Sequence, residues 1–508
     1  MGVPEAIRGV GRPKNTVVDD SGREGINRYS VRERAGTKYV RNGNPQPGNG
    51  KVIGHIINGM FVPVADRMSK GPDSLSYGAA ALAESVGDDI LGDLLAVYPA
   101  TEAAEIMVVA MLKVLRPRIA ANRYSTHYGR TFVSRYHPNV ALSKNTVGSL
   151  FKRLGMDGGK RKSFYAARIG RIAADHHIAI DGMLKQDTST VNDLSAFSYK
   201  ARVTGCRDVS VLYAYDMEDM EPLCAEVFPG NCIDACSFSA FINDNNIDRG
   251  IIIADKGFPV SSIAQDLKER SDLHYMIPIK RRDLRIRGNS MLEFDEVVTG
   301  TDKNVIGKKA RLQDGTYLYG FRDAYLAGKE ESSVITRSKK KESFDSKDYL
   351  SHRDLYGVIV FESDLDLPLD KVYRSYGDRW LLELLFARYK GSECLDSTGV
   401  QSDYSLLGVE FVNFIATLIT SRMVRKAGDA GLLDKMTYGD LMEDLSSAWR
   451  SVDATETPKS NDKYWVHTLP SVLGMLEKLG LSEPLAKIPK KRGRPKGKAL
   501  EPEKPKRP

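Results

Sequence analysis

The chain of 508 residues is 42% hydrophobic, 28% charged and 8% aromatic, the make-up of a folded protein of several domains. No apolar run approaches the roughly 18 to 20 residues that span a bilayer, and residues 1–14 lack the apolar core of a secretory signal. Membrane insertion and export are therefore not expected, and a cytoplasmic location is. Five cysteines (Cys206, Cys224, Cys232, Cys236 and Cys394) follow no disulfide-like rhythm, and Cys232 and Cys236 lack the second pair that a zinc site needs.

The net charge is +8, and residues 487–508 alone hold ten Lys/Arg against two Glu, so the rest of the chain is balanced. Residues 1–55 are also basic, with ten Lys/Arg against five Asp/Glu. Such ends commonly contact phosphate, where each Lys or Arg displaces condensed counterions. A merely solubilising tail is the alternative.

In chain order, residues 1–75 form a basic N-terminal arm rich in Gly, Asn, Arg and Pro, with short apolar runs such as Val52-Ile53 and Met60-Phe61-Val62. Residues 76–175 form a helical domain with DNA binding as its expected role. Tyr77–Leu95, Ala100–Leu115 and Thr146–Leu154 repeat apolar residues at three- and four-residue spacing. Ser143 is placed to cap the last of these. Lys144, Asn145 and Ser149 either face a DNA groove, as in a helix-turn-helix, or lie on a plain structural helix.

From 176 the period changes. His177–Asp181 and Gly250–Asp255 read as buried strands ending in a carboxylate, with Val209–Tyr215, Leu223–Phe228 and Leu273–Ile279 as further strands and Pro259–Arg270 as a helix. Strands followed by alternating helix and strand indicate a mixed α/β sheet over 176–280. Residues 281–354 interrupt it as a charged, strand-rich insertion containing Lys339-Lys340-Lys341. Residues 355–482 resume the sheet at Leu355–Phe361 and are helical in pattern from Leu369 to Leu481. Residues 483–508 make a disordered basic tail.

In open α/β sheets ligands gather at the carboxyl ends of strands, so Asp181 and Asp255 are candidate site carboxylates. Either one alone reads equally as a turn or cap residue. The stretch around Glu383 adds weight. Between Trp380 and Ala387 only Glu383 is polar, and a lone buried carboxylate there would cost several kcal/mol or take up a proton. Tyr376, Glu383 and Lys390 are spaced seven residues apart and share a helical stripe with Arg379. That stripe calls for a partner. Metal ions on Glu383 with phosphate oxygens on Arg379 and Lys390 would supply one; an internal Arg379–Glu383 ion pair is the alternative.

Tyr376, Arg379, Glu383 and Lys390, in the pattern Y-x2-R-x3-E-x6-K, resemble the signature of bacterial insertion-sequence DDE transposases, the insertion-sequence-four-like group. Asp255-Lys256-Gly257-Phe258 is similar to that group's second-aspartate block. Asp181-Gly182 resembles its first, with Met183 where Thr is usual, and Asp187-Thr188 competes for that position. The resemblance implies an α/β fold with an RNase H-like core, a mixed sheet flanked by helices, carrying the strand-rich insertion. It implies Asp181, Asp255 and Glu383 as catalytic metal ligands and Tyr376, Arg379 and Lys390 as DNA-binding residues. Three carboxylates without His or Cys select a hard cation, Mg²⁺ or Mn²⁺. Two such ions suit hydrolysis of a DNA strand and its joining to a target, so His176 and His177 are read as structural or exposed.

Lys490–Lys498, with Arg492 and Arg494 in an Arg-Gly-Arg-Pro core, looks like an AT-hook for the narrow minor groove, or else a plain basic tail. Gly11-Arg12-Pro13-Lys14 echoes half of it. The partner expected is double-stranded DNA, element ends and target, with a homodimer assembled on it. A catalytically inactive DNA-binding protein on the same fold, or another RNase H-like nuclease, is the alternative function.

Overall fold

The computed structural model describes residues 3–19, 28–38, 46–57, 59–63, 74–198, 205–232, 234–254, 267, 270–340, 343–378, 397–452 and 465–482. The chain divides into two units, Met1–Asp73 and Ser74–Pro508.

In the first unit β1 (Thr16–Asp19), β2 (Arg28–Lys38), β3 (Gln46–Ile57) and β4 (Met60–Pro63) form one antiparallel sheet in that order. Among the described residues Val31 and Ile56 are its buried apolar side chains, and Arg32 Nε meets Asp19 Oδ2 at 3.0 Å across β1 and β2. The sequence announces only a basic arm here.

In the second unit the expected helix over Tyr77–Leu95 is two, Gly78–Glu84 and Asp88–Val97, broken at Gly87. Ala100–Leu115 follows as expected and is buried nearly all round from Ile106 to Leu112. Lys144–Met156 starts at Ser143, whose side chain accepts the Thr146 N–H at 3.2 Å, and Gly158–Ile169 comes next. These helices do not stand apart as a separate domain, because they share one continuous hydrophobic core with the sheet that follows.

That sheet consists of β6 (His177–Asp187), β7 (Arg207–Asp216), β8 (Glu221–Pro229), β9 (Arg249–Ala254), β10 (Asp272–Pro278), β11 (Glu296–Val297), β12 (Val305–Arg311), β13 (Tyr317–Asp323), β14 (Val358–Ser363) and β15 (Ser397–Thr398). The order is β11-β12-β13-β14-β10-β9-β6-β7-β8, with β15 also on β6. β6, β7 and β8 form an antiparallel meander, β9 and β10 add in parallel, and β14 to β11 extend the edge antiparallel. The insertion therefore lengthens the main sheet instead of forming its own. Its second half is helical, Ala324–Lys340 and Ser346–His352, where the charged sequence had read as strand. Only Ala327 of the first helix is buried, too thin a stripe for a helical period to show.

The Asp403–Asp429 helix crosses one face of the sheet. By length and composition it could cross a membrane, which corrects the expectation that no such stretch exists. Its apolar stretch is 83% buried inside the fold, and a helix packed on all sides is apolar on all sides. Short strands interrupt the helical pattern after it: β16 (Trp449–Ser451) pairs with β17 (Trp465–Val466) and with β5 (Ser74–Ser76).

Candidate active site

β6 is bordered by β7 on one side, Ile178–Asp187 pairing with Asp216–Arg207. On its other side it first runs parallel to β9, from His177 beside Ile251 to Ile180 beside Ala254. Its last two residues, Gln186 and Asp187, instead run parallel to Ser397 and Thr398 of β15. Residues 181–185 lie between these two ladders, and the chain that follows Ala254 and the chain that precedes Ser397 are outside the described residues. Asp181 is the residue of β6 that follows the last described pair with β9.

Asp181 is consequently not a strand end, as the apolar run had suggested. The antiparallel ladder with β7 carries β6 six residues further, to Asp187. The described parallel pairs with β9 reach Ile180, the residue before Asp181. Asp181 is half-buried, and its Oδ1 accepts the Gly182 N–H at 2.8 Å.

Alternation places Asp181, Met183, Lys185 and Asp187 on one face of β6. The Asp403–Asp429 helix covers this face. Lys185 donates to Glu410 in the interior, and Tyr213, directly opposite Asp181 on β7, stacks on Phe414 with ring centroids 6.1 Å apart. The strand bearing Asp181 is thus fixed both laterally and from above.

Asp187, the competitor for the first carboxylate, is only 3% exposed. Its Oδ1 accepts the Ser189 N–H at 2.8 Å and its Oδ2 accepts Asn192 Nδ2 at 3.0 Å. It staples the loop after β6.

Of the other expected site residues, Asp255, Arg379, Glu383, Lys390, Arg492 and Arg494 lie outside the described residues. In sequence Asp255 follows Ala254, the partner of Ile180. Arg379 follows the Leu369–Asp378 helix, on which the Tyr376 ring packs against Phe361 of β14 with centroids 4.5 Å apart.

Two groupings were not legible in the sequence. At the start of β6, ligating atoms of His176, Asp216 and Glu218 lie within 4.8 Å of one another. His176 Nδ1 meets Asp216 Oδ2 at 2.9 Å, and Glu218 accepts the His177 N–H at 2.7 Å and meets its Nδ1 at 2.6 Å. Burial disfavours the charged form of His176, but the hydrogen bond to Asp216 and the charges of Asp216, Glu218 and Asp219 outweigh it and hold the imidazole above its ordinary pKa. Both histidines pin β6 to the turn after β7, as a structural role requires.

The second grouping centres on Glu221, which receives Arg168 NH2 at 2.6 Å, Arg422 Nε at 2.7 Å and Arg425 NH2 at 3.1 Å. It ties the Gly158–Ile169 and Asp403–Asp429 helices to β8. No local pattern signals partners so far apart in the chain.

Residues 174–399 match the family model described as a transposase DDE domain, a span that opens just before β6 and closes just after β15. Asp181, Asp255, Tyr376, Arg379, Glu383 and Lys390 all fall inside it. A search of the curated proteins finds no match. Among solved structures the chain is similar to a piggyBac transposase in a synaptic complex with hairpin DNA. That likeness has a TM-score of 0.39 and 9% identity, and covers 73% of this chain and 80% of that one.

Proposed function

We propose that this chain is a DDE transposase, which cuts DNA strands at the ends of an insertion sequence and joins them to a target. The observation that carries the reading is the placement of Asp181 on β6, one residue past the β6–β9 pairs and fixed by β7, inside the span that matches a transposase DDE domain. One more residue of the β6–β9 ladder would set Asp255 beside Asp181, and the chain that returns to β15 is the one that carries Glu383. A meander extended by parallel strands is the mixed sheet that an RNase H-like core needs, and ligands bind such sheets outside the carboxyl ends of their strands.

The donor set fits Mg²⁺ or Mn²⁺, since Asp181 presents a half-exposed carboxylate and the two companions proposed are also hard oxygen donors. When bound, such ions activate a water or a 3′-hydroxyl and stabilise the leaving oxygen. The chain's own part is positioning. Asp181 is held by β7 along its strand and by the Lys185–Glu410 pair beneath, while Arg379 and Lys390 grip phosphate oxygens beside Glu383, with Tyr376 on the same stripe. Arg492 and Arg494 of the tail lie in an A·T-rich minor groove. A homodimer on DNA holds two element ends together for joining.

Incubating the full chain with duplex carrying its element's ends in Mg²⁺ tests this. Nicked and strand-transfer products should form, and should fall at least ~10³-fold with Asp181→Asn or Glu383→Gln, the scale of losing a preorganised charge-stabilising group. Products that persist in either variant would defeat the assignment.

A further inference from the structure

The segment between the Ala100–Leu115 and Lys144–Met156 helices takes no part in positioning Asp181. From 116 to 135 it carries five arginines (Arg116, Arg118, Arg123, Arg130 and Arg135) and no Asp or Glu. All five are exposed, and among the described residues none forms a side-chain ion pair or hydrogen bond. Several other arginines of this unit are paired with carboxylates. Arg153 bridges Glu102 and Glu105, Arg171 meets Asp93, and Arg168, Arg422 and Arg425 converge on Glu221.

Three of them, Arg116, Arg123 and Arg130, gather around His127. The His127 N–H bonds the Arg123 carbonyl at 3.0 Å and the Arg130 N–H bonds the His127 carbonyl at 3.1 Å, so Arg123, His127 and Arg130 follow one helical face. Arg116 reaches the same neighbourhood. Burial, and then the charges of Arg116, Arg123 and Arg130, hold the His127 imidazole below its ordinary pKa, with no carboxylate acting against them. The platform beneath is firm: Tyr124, Phe132 and Val133 are buried, and the Tyr128 hydroxyl donates to the His137 carbonyl at 2.6 Å. Arg118 sits at φ 61°, where glycine or asparagine is the unstrained choice.

We propose that this arginine face binds the phosphate backbone of duplex DNA without reading base sequence. The inference rests on the reading of the chain as an enzyme acting on DNA. Uncompensated guanidiniums on a rigid surface match a duplex, which offers a negative charge about every 1.7 Å and releases counterions when a cation docks. The planar fork of arginine fits phosphate oxygens in pairs.

The test is fluorescence anisotropy of the full chain with a random-sequence duplex across a salt series, with EDTA present so that no cleavage takes place. The triple variant Arg116→Gln/Arg123→Gln/Arg130→Gln should bind at least ~10-fold more weakly near 0.15 M salt. Its log K against log salt should flatten by about 2 to 3, at roughly 0.9 for each phosphate that is no longer neutralised. An unchanged melting temperature shows that the variant folds. The matching triple Lys variant should keep most of the slope, because the charge remains.

Wild-type affinity and slope in the Gln variant would overturn the proposal, as would a Lys variant as weak as the Gln one. Weakened binding to anionic vesicles with DNA binding intact would overturn it too. Strand cleavage that depends on Asp181 is a separate readout, so the arginine face and the transposase reading can fail independently.

Discussion

Lys185 and Glu410 form an ion pair in the interior, with side chains 1% and 3% exposed, joining β6 to the Asp403–Asp429 helix four residues beyond Asp181. Glu410 also accepts Asn413 Nδ2 at 3.1 Å. Removing one partner leaves a buried charge without compensation. Lys185→Met should therefore destabilise the fold by about 3–5 kcal/mol in urea unfolding, while Lys185→Met with Glu410→Leu should recover most of that loss. A single variant as stable as wild type would show that the pair does not hold β6 to the helix.

Asp181 and Asp187 are separable by experiment. Asp187→Ala leaves the Ser189 N–H and the Asn192 amide without their acceptor, at a cost of about 1–3 kcal/mol. Divalent-ion affinity in the surviving folded fraction should match wild type. Asp181→Asn should show the opposite pattern, near-normal stability with weakened ion binding. Thermal melts and Mn²⁺ titration of both variants check the pair, and exchanged outcomes would make Asp187 the ligand.

The helices Lys144–Met156 and Asp403–Asp429 approach closely because glycines stand at the crossing. A Cβ at Gly155 would lie 1.6 Å from the Tyr404 carbonyl oxygen, and one at Gly408 would lie 1.8 Å from that of Phe151. Gly155→Ala or Gly408→Ala should cost about 1–3 kcal/mol or more as the helices are forced apart. Gly148, on the same helix, has open space around it, so Gly148→Ala should stabilise by about 0.5–1 kcal/mol. Denaturant midpoints for the three variants decide this.

His176 makes stability depend on pH. Its folded pKa is raised above the unfolded value of about 6.5. Its contribution is therefore complete below that pH and disappears as pH rises through the folded pKa. The melting-temperature gap between wild type and His176→Gln should be widest below about pH 6.5 and should narrow as pH rises above it. A gap that widens with rising pH would contradict the His176–Asp216 pairing.

The strands β9 and β10 and the first half of β6 were legible because parallel strands buried on both faces read as unbroken apolar runs. The second half of β6 was not. Its inward positions beyond Met183 are Lys185 and Asp187, whose partners Glu410, Ser189 and Asn192 become visible only once the chain is folded. That is why Asp181 looked like a strand end. The pairing of β15 with β6 was equally hidden, since β15 is two residues long and returns from far along the sequence. The carboxylates could be nominated from their surroundings in sequence, but the helix packed over the Asp181 face of β6 could not.

Catalysis as proposed requires residues 181, 255 and 383 to share ions. Replacing Mg²⁺ with Fe²⁺ and adding ascorbate and peroxide generates hydroxyl radicals at the bound ion, which cut the polypeptide within a few ångströms of it. Mapping the fragments should reveal cuts near all three positions that fade together as Mg²⁺ is added back. Cuts at 181 without cuts at 255 and 383, or cuts that excess Mg²⁺ does not suppress, would contradict a shared metal site.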